Sequence, residues 1–513
     1  MPAHRKFLAA AAIFALLALT AACGGINTEA TGSASGGAGS TFRFAYSVGP
    51  SRYDPHRASS SFDNASLFPV YDRLVHLTTA AEPVPGLATG WQYTDGGKRL
   101  VFELRPGVRF HDGTPFDAAA AKANLDRART LQGSTVASEL KAVERVDVLG
   151  PLTIALALTS PDSSLIGVLS DRAGMMVSPA AFDDPQLDLR PVGAGPYQIV
   201  SYSPNDRVVL RRFPGYWDPA AQQVETMAVV IQPDTTTRMN ALRAGEVDAA
   251  LLQGNQVAEA RQYDLGVVGD VTLAFYHLQL NRTRAEFGDI RVRRALNHAI
   301  DRDAIIHGVL FGNGKPAAQP FPPGYYAHDP DLPDPYPYDP QKARQLLAEA
   351  GLAGGFEFEA IVPNTDPGTA VAVQEQLADI GVRMKIREVS SSEAADLFYG
   401  RQQGDAMVAP WGGRADPIQT LALLYSSKGF SNPGGHTTPE LEQLIGQARR
   451  TIDPAARTEI LHRIDRMVLD QALDVPVVFA DTNYGHAARV TDLRSWLSNK
   501  PEFRGVGAAG TGR

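Results

Sequence analysis

Between residues 99 and 213 apolar positions recur at every second residue in short runs. Leu100, Phe102 and Leu104 fall on one face of 99–105, the period of a half-buried strand. Segments 143–149, 153–158, 197–202 and 207–213 repeat the pattern, parted by Gly, Pro and Asp turns. The spacing predicts one clear helix among them, over 115–129, with Ala-rich faces. Past residue 280 the period lengthens. Asp289 is expected to cap a helix that buries Val292, Ala295, Leu296, Ala299 and Ile300 and turns Arg291, Arg293 and Arg294 to solvent. Asp339-Pro340 opens another, burying Ala343, Leu346, Leu347 and Ala350 and stopped by Gly351. Thr438-Pro439 and Asp453-Pro454 start two more by the same device. Strands are expected between these helices at 356–362, 382–389 and 406–410, so the second half reads as an α/β layer structure. Segments 271–281 and 475–484 are apolar and strand-like, placed to run from the first half to the second and back.

The N-terminus follows a different pattern. Arg5 and Lys6 precede an apolar run over 7–19 that is short for a membrane span and suited to a secretion signal. Thr20-Ala21-Ala22 supplies small residues, and Cys23 follows as the only cysteine of the chain. This arrangement resembles the lipobox of bacterial lipoproteins, in which the thiol takes a diacylglyceryl group. It departs from that pattern in one place, with Thr20 where Leu is usual and Leu19 one step earlier. An ordinary signal cleaved nearby, leaving an unpaired thiol, is the other reading. Residues 24–41 are nearly all Gly, Ser, Ala and Thr, a tether of about 25 Å root-mean-square span. The expected order is signal over 1–22, lipidated Cys23 and tether to 41, and a soluble body held outside the membrane without a disulfide.

Composition adds two bounds. A chain of 513 residues is too long for one core and suits two or three subdomains. The formal charge of −8, deepened by two on loss of Arg5 and Lys6, argues against a nucleic-acid partner, as does the absence of any Lys/Arg block. Nothing in the motifs asks for catalysis. There is no Gly-x-Ser-x-Gly, no His-Glu-x-x-His and no phosphate loop ending in Gly-Lys-Ser or Gly-Lys-Thr. His111-Asp112 has no second ligand at metal spacing, so a hydrogen-bonded structural role is expected, and no cofactor or metal is expected.

A resemblance covers nearly all of 42–490. It is carried by Leu87-Ala88-Thr89-Gly90-Trp91, by Arg105-Pro106-Gly107-Val108-Arg109-Phe110-His111-Asp112-Gly113-Thr114-Pro115-Phe116, by Gly193-Ala194-Gly195-Pro196-Tyr197 and by Phe213-Pro214-Gly215-Tyr216-Trp217. Ala244-Gly245-Glu246-Val247-Asp248, Phe287-Gly288-Asp289-Ile290-Arg291, Tyr338-Asp339-Pro340 and Trp411 to Pro417 follow in order. Together they resemble the extracellular solute-binding proteins of the oligopeptide, dipeptide and nickel type that feed ABC importers. The resemblance implies an α/β, two-lobed periplasmic-binding-protein-like fold of type II, with an extra subdomain in lobe I and two hinge crossings. It places lobe I over 42–274 with the subdomain over 85–190, lobe II over 275–484, and a return to lobe I over 485–513. It implies a monomer that hands its ligand to a membrane permease and ATPase on the outer face of the cell membrane, without chemistry. A sensing lipoprotein is the alternative role, and an extracellular enzyme a more distant one.

Tyr216 and Trp217 are expected to pack. In dipeptide- and oligopeptide-type members the third residue after the loop tryptophan is commonly an Asp that receives the peptide's amino group. Here that place is Arg414, which presents a donor fork suited to carboxylate or phosphate, unless it pairs with Asp416. Gly412 and Gly413 would allow close approach of a ligand, Trp411 could stack on it, and Asp416-Pro417 shapes the turn. Tyr276 and His277 on the first crossing, with Ser61 and Phe62 in the polar loop 59–64, complete the candidate ligand-binding residues. The family's ligands are peptides, opine-like conjugates, certain sugars and chelated nickel. Arg414 tilts the expectation toward acidic peptides or other carboxylate-bearing solutes.

Overall fold

The computed structural model describes residues 40–364 and 367–509; Cys23, the signal and most of the tether lie outside them. Alternation along the strands builds one mixed sheet through the molecule. Its order is Val382–Val389, Phe356–Pro363, Ala406–Trp411, Phe275–Leu280, Val475–His486, Ala249–Leu252, Thr41–Tyr46, Thr226–Ile231, Arg207–Arg212 and Tyr197–Ser203. The 12-residue strand Val475–His486 belongs to both halves. Its first part pairs antiparallel with Phe275–Leu280 and Gly314–Pro316, and its last part with Ala249–Leu252 and Gly266–Val271.

Each half buries its own apolar side chains. Phe42, Phe44, Tyr71, Leu210 and Val229 form one core, and Leu278, Phe287, Val292, Leu347 and Phe358 another. The result is a two-lobed α/β fold. A separate four-stranded antiparallel sheet, Ala88–Thr94, Arg99–Leu104, Thr153–Leu158 and Val143–Gly150, carries helix Ala118–Thr130. Leu100, Phe102, Leu125, Ile154 and Leu156 fill the space between them.

The predicted caps form where their chemistry demands. Asp289, Asp339, Thr438 and Asp453 each accept a hydrogen bond from a backbone N–H in the first turn of the following helix. Three expectations are corrected. The first-half helix begins at Ala118, capped by Asp117, because Pro115 is held in an isolated bridge to Arg109. The strand expected over 271–281 is shorter, Phe275–Leu280, and 272–274 part it from Gly266–Val271; the two strands pair with different ends of Val475–His486. Arg293 does not face solvent. It is buried, and its guanidinium donates to the carbonyls of Phe287, Gly288, Gln471 and Ala472. Among the described residues no helix is long and apolar enough to cross a membrane.

Candidate functional site

Strand Ala406–Trp411 runs through the middle of one lobe and delivers the 411–417 loop to its edge. Trp411 stands opposite Phe275 and is 8% exposed, its Nε1 donating to Thr420 Oγ1 at 3.3 Å. Gly412 is exposed, with open space where a Cβ would stand. Gly413 has φ of +65° and would set a Cβ 2.7 Å from the Leu273 carbonyl oxygen, so only glycine fits the turn. Asp416 turns inward. It caps helix Pro417–Tyr425 through Ile418 N–H at 2.9 Å and takes Arg457 Nη2 on both oxygens at 2.6 and 2.8 Å. This commitment removes Asp416 as a partner for Arg414. The Arg414 guanidinium lies 5.9 Å from the Trp411 ring centroid and donates to no acceptor among the described residues.

Opposite the loop stands segment 160–174, carrying the short helix Leu165–Val168. A Cβ on Gly167 would lie 2.9 Å from Asp416 Cβ, so the absent side chain is what lets the two segments meet. Ser163 donates through its backbone N–H to the Arg449 carbonyl at 2.8 Å, and through Oγ to Ala448 and Arg449. These carbonyls end helix Pro439–Arg450 and have no partner within it. Between Ser170, Asp171 and Lys500 on one side and Ala415 on the other is a cavity of about 10 Å³, room for one water. Asp171 pairs with Lys500 and accepts from Asn64 Nδ2 at 3.0 Å. Burial would push its carboxyl up, but Lys500 and Arg172 hold it well below the usual carboxylate range. Arg172 donates to the Ala58 carbonyl.

The other candidates are more dispersed. Phe275, His277 and Gln279 share one face of their strand. His277 is 1% exposed and its Nδ1 lies 2.5 Å from Asp474, so it is part of the interior. Tyr276, on the opposite face, is half-buried against the core of Leu278 and Val478. Ser61 opens the turn Ser61–Asp63, and exposed Phe62 lies with its ring 5.9 Å from that of Tyr46. Asp63 holds this loop by accepting from Ser51 and Ser60. His111 bridges Gly193 N–H and the Gly195 carbonyl, while Asp112 accepts from Ser178 and Thr114, the structural roles expected of them. Tyr216 and Trp217 do pack, and both also donate to buried Asp72, at 2.9 and 2.7 Å. Among the described residues no three His, Cys, Asp or Glu side chains are grouped to hold a metal ion.

The 411–417 loop and segment 160–174 thus meet directly at Gly167 and Asp416, with room for one water beside Ala415. Comparison with known proteins decides the matter: the family model described as bacterial extracellular solute-binding proteins, family 5, middle, matches residues 82–432. The chain belongs to this family. The glutathione-binding protein GsiB of Salmonella typhimurium is 30% identical over 465 residues, spanning 86% of this chain and 89% of that protein. The ABC transporter-associated periplasmic binding protein DppA of Helicobacter pylori, solved with the peptide STSA, superposes with a TM-score of 0.80. It is 24% identical, over 92% of this chain and 98% of that one. NikA from Brucella suis, solved with Fe(III)-EDTA, gives 0.82 at 24% identity, over 92% and 100% of the two chains. The family's work is to bind a solute outside the cell, and that is the function of this chain. Glu139, Gly167, Asp171 and Lys500 carry no signal in the sequence: the first three fall within one stretch of no recognisable motif, and Lys500 joins Asp171 from 329 positions away.

Proposed function

We propose that this protein captures a carboxylate-bearing small solute, a short peptide or a related conjugate, and passes it unaltered to a membrane permease driven by its ATPase. Lobe I comprises 42–274 with its subdomain over 85–190 and the return 485–513, and lobe II comprises 275–484. The two turn about 272–274, the break between Gly266–Val271 and Phe275–Leu280, and about the middle of Val475–His486, which pairs with both of those strands. Diacylglyceryl-Cys23 tethers a monomer to the outer face of the cell membrane.

One observation carries the ligand class. Arg414 is the charged side chain of the 411–417 loop left without an acceptor, while Asp416, two residues on, is taken by Arg457. A guanidinium there prefers a carboxylate, which matches its fork of donors in two parallel bonds. The relationship to glutathione-binding proteins supports the same class, since glutathione carries two carboxylates. Gly412, exposed and with open space beside it, would give the ligand access to the loop backbone, and Tyr276, Ser61 and Phe62 are assigned to the margins of the same site. His277 and Asp416, each held inside by a charged partner, shape the walls from within. Mass spectrometry of the solute that co-purifies, followed by calorimetry on Arg414→Ala, tests this. Loss of at least about tenfold in affinity is expected. An unchanged affinity would remove Arg414 from the site.

A further inference from the structure

Arg414 has an unspent counterpart across the crevice. Glu139 sits on the turn Ala137–Leu140, which packs against Leu165–Val168 and Arg172–Gly174. Its side chain is half-buried, and its carboxyl receives no hydrogen bond among the described residues. Four charged groups act on it: Asp171, Arg414, Arg172 and Lys500. Two of the cations are already engaged, Lys500 with Asp171 and Arg172 with the Ala58 carbonyl. Asp171 is itself occupied by Lys500 and Asn64. What remains is one acceptor on one lobe and one donor fork on the other. They lie within electrostatic reach of each other, yet they form no ion pair.

We propose that Glu139 and Arg414 together read a zwitterion, Glu139 receiving the ligand's ammonium group and Arg414 its carboxylate. The assignment of Arg414 rests on the function proposed above; that of Glu139 is new. Closing the crevice over either group alone would bury an uncompensated charge, which is costly. A zwitterion between them satisfies both at once and makes closure conditional on a ligand with both ends. Burial pushes the Glu139 carboxyl up, with Asp171 adding to it against the three cations. An arriving ammonium reverses that push, so the free site is poised to accept a cation.

This chemistry fits an α-linked dipeptide and a γ-glutamyl peptide alike. Calorimetry on the full-length chain in detergent separates them, with alanyl-alanine and S-methylglutathione as probes, each beside its N-acetyl form. The wild type is expected to bind one amine-bearing probe more tightly than its N-acetyl form, and the tighter of the two names the source. Glu139→Gln is expected to weaken that probe by about tenfold or more and to leave the N-acetyl form unchanged. Arg414→Gln weakens both forms. Glu139→Asp, which keeps the charge, restores part of the loss and guards against a folding defect. Equal binding of amine and N-acetyl forms by Glu139→Gln and wild type alike overturns the role of Glu139 and leaves Arg414 standing. Binding indifferent to Arg414→Gln overturns the carboxylate reading, and with it the pairing. A wild type that binds none of the four probes overturns both.

Discussion

Asp72 and Glu139 are both carboxyls withdrawn from solvent in the same lobe, and their surroundings could hardly differ more. Asp72 is fully enclosed. It accepts from His76, from Tyr216 Oη at 2.9 Å, from Trp217 Nε1 at 2.7 Å and from the Arg73 backbone N–H at 2.8 Å. Burial pushes its carboxyl up, and the His76 and Arg504 charges more than offset this, holding it well below the usual range. Glu139 has charges near it and no donor among the described residues. The first is a finished network and the second an unfinished one. In a carrier, which must be stable empty and responsive when loaded, stability belongs to the first kind and recognition to the second.

The comparison breaks most visibly at Asp72. Asp72→Ala leaves Tyr216, Trp217 and His76 without their shared acceptor inside the protein. Removing one member of such a buried set costs about 3–5 kcal/mol, and the urea midpoint should fall accordingly. Glu139→Gln, by contrast, should leave that midpoint where it is. If both substitutions shift it equally, the distinction between finished and unfinished networks fails.

A second buried network, around His56, gives stability a pH dependence. His56 is fully buried, and its Nδ1 accepts from Arg127, which also grips Asp54 at 2.7 Å. Burial and the Arg127 charge lower the His56 pKa to about 4. A base whose pKa is depressed in the folded state binds fewer protons there than when unfolded. Its contribution is therefore complete above pH 6.5 and is lost as pH falls through about 4. The full loss is about 3 kcal/mol. Urea midpoints recorded between pH 7 and 4 should fall in the wild type and fall less in His56→Gln; parallel slopes would reject the assignment.

Gly167 tests the crevice itself. A leucine there overpacks the contact with Asp416, at a cost of about 1–3 kcal/mol, but only where the two lobes meet. The protein can relieve it by turning at its shared strands, without unfolding. Small-angle scattering should show a larger radius of gyration for Gly167→Leu than for the wild type, with an unchanged urea midpoint. A lowered midpoint at constant radius would mean that the contact belongs to the folded core and not to a hinge.

How much of this the sequence carried depends on the range of the interaction. Alternation at Leu100, Phe102 and Leu104, and caps at Asp289, Asp339, Thr438 and Asp453, are local signals, and the structure honours them because nothing distant competes. The motif around Trp411 singled out a loop but could not distribute its charges. Asp416 and Arg414 are two residues apart, and only the position of Arg457, 41 residues from Asp416, shows that one is spent and the other is not. Glu139, Asp171 and Lys500 meet through tertiary folding alone, the last two separated by 329 positions. The hydrogen-bonding of Tyr216 and Trp217 was hidden for the same reason, since packing and donation to Asp72 leave one pattern in the chain.

The helix Ile290–His298 shows the same limit at the scale of a single turn. Its periodicity sets Arg291 and Arg293 outside together, yet Arg293 is 7% exposed and donates to four carbonyls, at the end of the preceding turn and around Ala472. Arg is long enough to reach backbone that periodicity places beyond it, and five donors make such carbonyls good partners. Arg291 remains in solvent, paired with Asp289 at 2.6 Å and bonded to the Glu349 carbonyl. Exposed pairs of this kind are screened and contribute little. Arg291→Ala should therefore leave the urea midpoint unchanged in low salt and high salt alike. A loss that appeared only in low salt would show that the Asp289 pair stabilises the helix start, and that periodicity had misjudged both arginines.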